Sequence, residues 1–304
     1  MQQISSGIQP PAPDAAAHSG LEENMETHSL RDFFQAFVRH RSALIGTSLV
    51  MIFILLAIFA PVLTPYDYQS SSPDTLQPPS SSHWFGTDDL GRDIFTRVVY
   101  GARISLWIGF VAITGSIVIG SFLGLIAGYY GKWVDSVISR LFDILLAFPS
   151  ILLAIAIVAM LGPSLNNALI AIAIINIPNF GRLMRSRVLS VKAEDYVLAA
   201  KALGMKNSRI LWKHILPNCW TPIMVQGTLG FATAVIEAAA LGFLGLGAQP
   251  PQPEWGTMLS DSREFIQLAP WTMIFPGVAM MLTVLGFNLL GDGLRDLFDP
   301  RMKQ

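Results

Sequence analysis

Residues 43–63 read "ALIGTSLVMIFILLAIFAPVL", 21 residues without a charge. About twenty helical residues cover the 30 Å or so of a bilayer's hydrocarbon core. Thirteen of the 21 are Leu, Ile, Val or Phe, and at about −0.5 kcal/mol each they favour insertion by roughly 6 kcal/mol. An amphipathic helix on a soluble core carries a polar stripe, and this stretch has none. It predicts a membrane span. In lipid every backbone polar group must be satisfied within the structure, so the fold is restricted to a helical bundle or a closed barrel.

Five more apolar stretches follow, at 104–128, within 141–161, 168–181, 221–247 and 271–290. Their lengths suit helices rather than barrel strands, so the expected fold class is an all-α integral membrane protein with six transmembrane helices. Apolar residues make up 52% and charged residues 13% of the chain, against about 25% charged in soluble domains. Pro149, Pro178 and Pro276 fall in or beside spans, which predicts a bundle whose neighbours satisfy the freed carbonyls. Glycines 120, 124 and 128 recur every four residues. That spacing predicts a flat helix stripe for close packing.

Six spans return both termini to one side. With both ends in the cytoplasm, 16 of the 20 Lys and Arg lie inside, and only Arg92, Arg97, Arg103 and Arg263 lie outside. This satisfies the positive-inside rule. The expected organisation is a disordered cytoplasmic tail at 1–29, then an N-terminal segment and first span at 30–63. A long extracytoplasmic loop at 64–103 precedes a helical bundle at 104–292 with a cytoplasmic loop at 182–218, and a cytoplasmic tail at 293–304 ends the chain. The first apolar run starts too far in for a secretory signal.

Chemistry-bearing motifs are sparse. The one Gly-Lys pair, Gly131–Lys132, has Ile126 where a phosphate-binding loop needs its first glycine. Serine-elbow, zinc-protease and dinucleotide fingerprints are missing. Histidines 18, 28, 40, 83 and 214 lack metal-ligand spacing, and the lone Cys219 allows no internal disulfide. No catalytic or metal-ligating residue is expected. A net charge of −1 supplies no field for nucleic acid.

The loop from Arg182 to Pro217 is the wettest part of the bundle, with eight basic and two acidic residues. Glu194 and Asp195 stand where a helix would start and Lys201 near its end, both favourable to the helix dipole. Tyr196, Ala199, Ala200 and Leu203 fall at helical spacing and predict one apolar face. Gly204 suits a left-handed helix stop. Asn207 or Ser208 suits the cap of a second short helix, "RILWKHIL", ending before Pro217. The pattern predicts a helix–turn–helix elbow, whose apolar face packs on its own spans or docks on a partner.

"YVLAAKALGMKNSRILWKHILPN" resembles the EAA loop of bacterial ABC importer permeases, whose pattern is EAA, three residues, glycine, nine residues, then I-x-L-P. Aligned on Gly204, Leu198, Ala199 and Ala200 take the EAA positions, His214 that of the Ile, and Leu216 and Pro217 those of the L and P. Leu198 and His214 depart from the pattern in the manner of the peptide-importing branch. "FGTDDLGRDIFTRVVYGARISL", "AALGFLGLGAQPPQPEWGTML" and "NLLGDGLRDLFDP" are similar to further signatures of that branch, in the same order. The resemblance covers residue 30 to the end.

It implies the type I ABC importer permease fold in the bacterial cytoplasmic (inner) membrane, carrying dipeptides or short oligopeptides, or nickel or antimicrobial peptides in nearby branches. It implies a second homologous permease subunit, two ABC ATPase subunits that use ATP and Mg, and an extracytoplasmic solute-binding protein. The elbow residues Glu194, Tyr196, Ala199, Ala200, Leu203, Gly204, His214 and Pro217 would couple the chain to an ATPase. The chain itself would bind no cofactor. A self-sufficient channel or secondary transporter predicts inverted repeats and several intramembrane charges, which are not seen.

One acid, Glu237, falls inside a span and belongs toward the bundle interior. It is a candidate for the translocation path, or for a hydrogen bond to a neighbouring helix; Asn176, Asn288 and Asp143 are weaker candidates. Glu254, Asp261 and Glu264 in the second external loop either attract a binding protein or keep that loop soluble. Solubility is the preferred reading.

Overall fold

The computed structural model describes residues 35–298, so the tail expected at 1–29 and residues 299–304 lie outside it. Among the described residues the chain is helical and forms no strand beyond an isolated bridge, Thr87 to Asp93. Five helices are long and apolar enough to cross a membrane, and a pair bent by 90° brings the number to six if the pair counts as one span.

Helix α1 (Arg41–Leu63) buries Ala43, Gly46, Val50, Phe53, Ala57 and Ala60. These recur at alternating steps of three and four, the seam of a coiled-coil contact. Leu44, Ile45, Ile52, Leu55, Ile58 and Leu63 face outward. Lipid tails are as apolar as leucine, so the close contacts fall to the small residues Ala43, Gly46, Ala57 and Ala60. A methyl group on Gly46 would lie 2.4 Å from the Leu290 nitrogen, which places α1 directly on the last helix.

Helix α2 (Ile94–Tyr130) starts ten residues before the expected span and takes in Arg97 and Arg103, assigned above to the external loop. The cause is a strong cap: the Asp93 carboxylate accepts the Thr96 N–H at 2.8 Å. Farther along, the glycine stripe meets α5 (Leu165–Lys192). A Cβ at Gly120, Gly124 or Gly128 would sit 2.5 Å from Ile177 O, 2.2 Å from Gly181 O and 2.8 Å from Val188 Cβ.

The expected third span is not one straight helix. Helices α3 (Lys132–Leu146) and α4 (Ser150–Leu161) meet at 90°. Pro149 sits at the break as the residue before α4, because its ring disfavours a helical residue before it. Conversely, α5 runs unbroken through Pro178 to Lys192, so the fourth span is longer than expected and absorbs the start of the 182–218 loop. Asp135 and Asp143 on α3 accept hydrogen bonds from Arg185 and Arg182 on α5.

After the elbow comes α8 (Leu216–Phe243), then the short α9 (Trp255–Asp261) and finally α10 (Trp271–Phe298). Phe231 and Phe287 stack between α8 and α10 with ring centroids 3.8 Å apart. The long loop closes over the end of the bundle farthest from the elbow. There Trp255 Nε1 donates to Val98 O at 3.0 Å, and Phe85 stacks on Phe275 at 3.9 Å. Buried Arg92 binds Asp88 within that loop at 2.7 Å.

Candidate functional site

The elbow begins with α6 (Asp195–Ala202), preceded by Glu194, whose backbone carbonyl accepts the N–H groups of Val197 and Leu198. Gly204 takes φ +75°. Its N–H bonds to Lys201 O, and that of Met205 reaches back to Ala200 O, the paired bonds of a Schellman stop. Nothing lies within 4 Å of a Cβ placed on Gly204, so the backbone angle, not crowding, calls for glycine here.

The second arm departs from expectation. Helix α7 (Asn207–Ile210) passes through a widened turn, Leu211–Ile215, straight into α8, without ending before Pro217. A proline ring inside a regular helix clashes with the carbonyl four residues back, here that of Lys213. The widened turn lies immediately before Pro217, with Leu216 N–H bonded five residues back to Leu211 O. The elbow is therefore continuous with the fifth membrane helix.

Buried side chains and one hydrogen bond fix the elbow to the bundle. Val197 and Ala200 sink into the core with Ile210, Leu211 and Ile215. Tyr129 Oη donates to Asn207 Oδ1 at 2.8 Å, and just before the elbow Lys192 Nζ ties the end of α5 to α2 through Tyr129 O at 2.6 Å. The expected apolar face is thus divided. Ala200 turns inward beside Val197, a residue the sequence reading passed over. Tyr196, Ala199 and Leu203 form an exposed stripe at steps of three and four, with Leu203 86% exposed. Trp212 adds an exposed ring on the second arm, also passed over. Its signal was a tryptophan in an otherwise basic loop. His214 is half-buried with its ring 6.4 Å from that of Tyr196, and Pro217 is exposed. Lys201 lines a cavity of about 260 Å³ beside Tyr129 and Asn207.

Inside the bundle, Asn176 on α5 donates to Glu237 on α8 at 2.8 Å and also to Ile172 O at 3.0 Å. Both side chains are buried. Of the two readings open for Glu237, the structure displays the interhelical hydrogen bond. Asn288 on α10 is half-buried, and no hydrogen bond links it to this pair. Asp143 lies at the exposed Arg182 contact.

The solubility reading fails for Glu254. This carboxyl is buried and accepts the N–H groups of Gly256 and Thr257 at 2.8 and 2.9 Å, capping α9. Burial pushes it up to about 7, against the two hydrogen bonds that favour its charged form. A polar loop position was chosen here for a cap, a role that charge counting does not detect. Asp261 and Glu264 are exposed.

Residues 120–304 match the family described as binding-protein-dependent transport system inner membrane component, over the elbow and the helices it joins. The chain belongs to this family. Residues 29–79 match the N-terminal TM domain of oligopeptide transport permease C, which accounts for α1 and the first part of the long loop. The chain is 65% identical over 274 residues to the dipeptide transport system permease protein DppC of Alkalihalophilus pseudofirmus, covering 90% of each chain. It is 48% identical to the protein of that name from Escherichia coli K12, over 90% of this chain and 94% of that one. It is 46% identical to the glutathione transport system permease protein GsiD of Pectobacterium atrosepticum, over 90% and 91%.

Among solved structures, an inward-facing MetNI methionine ABC transporter superposes with a TM-score of 0.55 at 19% identity, covering 68% of this chain and 98% of that one. An amino acid ABC transporter gives 0.51 at 17%. These show that the helices are arranged as in ABC importer permeases.

Proposed function

We propose that the chain is a permease subunit of an ATP-driven importer of dipeptides or short oligopeptides, with the elbow as its drive point. The single observation that carries this is the exposed Tyr196–Ala199–Leu203 stripe on a helix whose opposite face is locked into the bundle. A short helix with small and apolar outward residues suits a groove on a partner. Its continuity through the widened turn into α8 lets a displacement of the elbow reach the membrane helices. ATP need only favour one of two packed states of the bundle over the other.

In this reading a second homologous permease completes the path, two ABC ATPases supply the force with ATP and Mg, and an extracytoplasmic binding protein delivers the solute. The chain contributes no ATPase site and no cofactor of its own. It sits in the bacterial cytoplasmic membrane with both ends inside, as the basic-residue distribution favours. Relatives named for dipeptides and for glutathione, itself a short peptide, support peptides as the cargo class.

The test is uptake of a labelled dipeptide into proteoliposomes holding the chain with its ATPases, second permease and binding protein. Uptake should require ATP, and Ala199→Asp should abolish it while membrane insertion stays normal. Normal uptake by Ala199→Asp would remove the docking role. Labelling of Lys201→Cys by an impermeant maleimide from outside intact cells would reverse the orientation.

A further inference from the structure

A cavity of about 720 Å³ opens between α1, α2, α8, α10 and the start of α5, within the size range of small-molecule sites. Ile54, Ile58, Trp107, Phe110, Phe231 and Phe287 line it, and Arg103 is the one charged side chain among its walls. Ile58, Trp107 and Phe110 are each more than half exposed, so the cavity is a groove open on the outer surface of the bundle. Arg103, Trp107 and Phe110 follow one another down a single face of α2 at steps of four and three. Among the described residues Arg103 has no hydrogen bond and no ion pair.

Depth decides what such a groove faces. Arg103 lies about 40 Å along the axis of α2 from Tyr130, at 1.5 Å per residue. The Tyr130 end is beside the elbow, through Tyr129 and Asn207. A hydrocarbon core is about 30 Å thick and the headgroup layers bring the total to about 40–45 Å. Arg103 therefore stands at headgroup level in the leaflet away from the elbow, while the apolar walls extend below it into acyl-chain depth. Trp107 occupies the level where tryptophans collect at membrane interfaces. An unpaired guanidinium binds a phosphate through two parallel hydrogen bonds. A solute path would present several placed polar groups, whereas these walls present one.

We propose that this groove holds one anionic phospholipid of the leaflet away from the elbow, its phosphate on Arg103 and an acyl chain between α1 and α2 against the Phe231–Phe287 stack. The lipid fills a gap between the first helix and the rest of the bundle, and so ties α1 to the permease in a lipid-dependent way.

The full chain is placed in nanodiscs with bilayers of phosphatidylcholine containing phosphatidylglycerol. One lipid or the other carries brominated acyl chains, which quench nearby tryptophan. The Trp107→Phe variant isolates the Trp107 signal. Phosphatidylglycerol should quench Trp107 with about a fivefold preference over phosphatidylcholine, the selectivity expected of one arginine near an anionic surface. Arg103→Gln should bring the ratio to one, Arg103→Lys should keep part of it, and Arg263→Gln should leave it unchanged. Arg103→Lys, which keeps the charge, guards against a folding defect in the neutral variant. A ratio of one in the parent chain, or a preference that survives Arg103→Gln, overturns the proposal. So does quenching relieved by added dipeptide, which gives the groove to the solute. Absence of quenching by either lipid also overturns it, and means that protein covers the groove.

Discussion

Gly124 and Gly115 lie on the same helix, yet the structure assigns them different tolerances. At Gly124 an added methyl group would sit 2.2 Å from Gly181 O and 3.0 Å from Met184 Cβ. Ordinary C···O approaches stop near 3.3 Å, so α2 and α5 must separate by about 1 Å. A gap of that size forfeits up to half of each dispersion contact along the seam, and the backbone carbonyl cannot swing away. Gly124→Ala should destabilise the protein by about 1–3 kcal/mol, the usual range for overpacking.

At Gly115 the added methyl meets only Ala173 Cβ, at 3.8 Å. Gly115→Ala should be neutral or stabilising by up to about 1 kcal/mol, through helix propensity. Thermal unfolding of the two variants in one detergent measures the difference directly. Equal midpoints for both would refute the claim that backbone contact between α2 and α5 governs the response.

Leu203→Asp should keep the unfolding midpoint and lose ATP-driven uptake, because Leu203 touches little of its own chain. Val197→Asp should destabilise the protein by several kcal/mol and lower the midpoint, since it leaves a charge in the core; the pair is read by unfolding and uptake together. Glu254 has its folded value raised from 4.5 to about 7, so folding favours the protonated form. Its contribution to stability is present in full below about 4.5 and is lost as pH rises to about 7. Glu254→Gln should flatten that stretch of the stability–pH curve. Glu237→Gln keeps an acceptor for Asn176, and uptake should survive. Glu237→Leu strands a buried donor hydrogen on Asn176 at a cost of about 1–3 kcal/mol, visible in unfolding.

Several features could be read from the chain before any coordinates because each rests on local physics. Charge-free runs of span length declare membrane helices, since lipid offers the backbone no hydrogen bonds. Glycines four apart declare a packing stripe. Glu194, Lys201 and Gly204 mark the bounds of α6 through the dipole and the left-handed stop. Prolines were less legible. Pro149 marks a 90° break, Pro178 is carried within a helix, and Pro217 follows a widened turn. The same residue type thus stands at a break, inside a helix and just past a widened turn, and the residue alone does not say which.

Tertiary structure alone decided which way each residue faces. Ala200 and Ala199 are adjacent and chemically identical, yet one is buried and the other exposed, because the face of α6 that carries Val197 is the one packed into the core. Glu254 and Glu264 are both loop acids, and only the first finds two backbone donors in the interior. Glu237 meets Asn176 across 61 residues of chain, a contact that helix packing creates and no local pattern announces. Sequence determines what a segment is able to become by itself; its partner, and so the side it buries, is set by long-range packing.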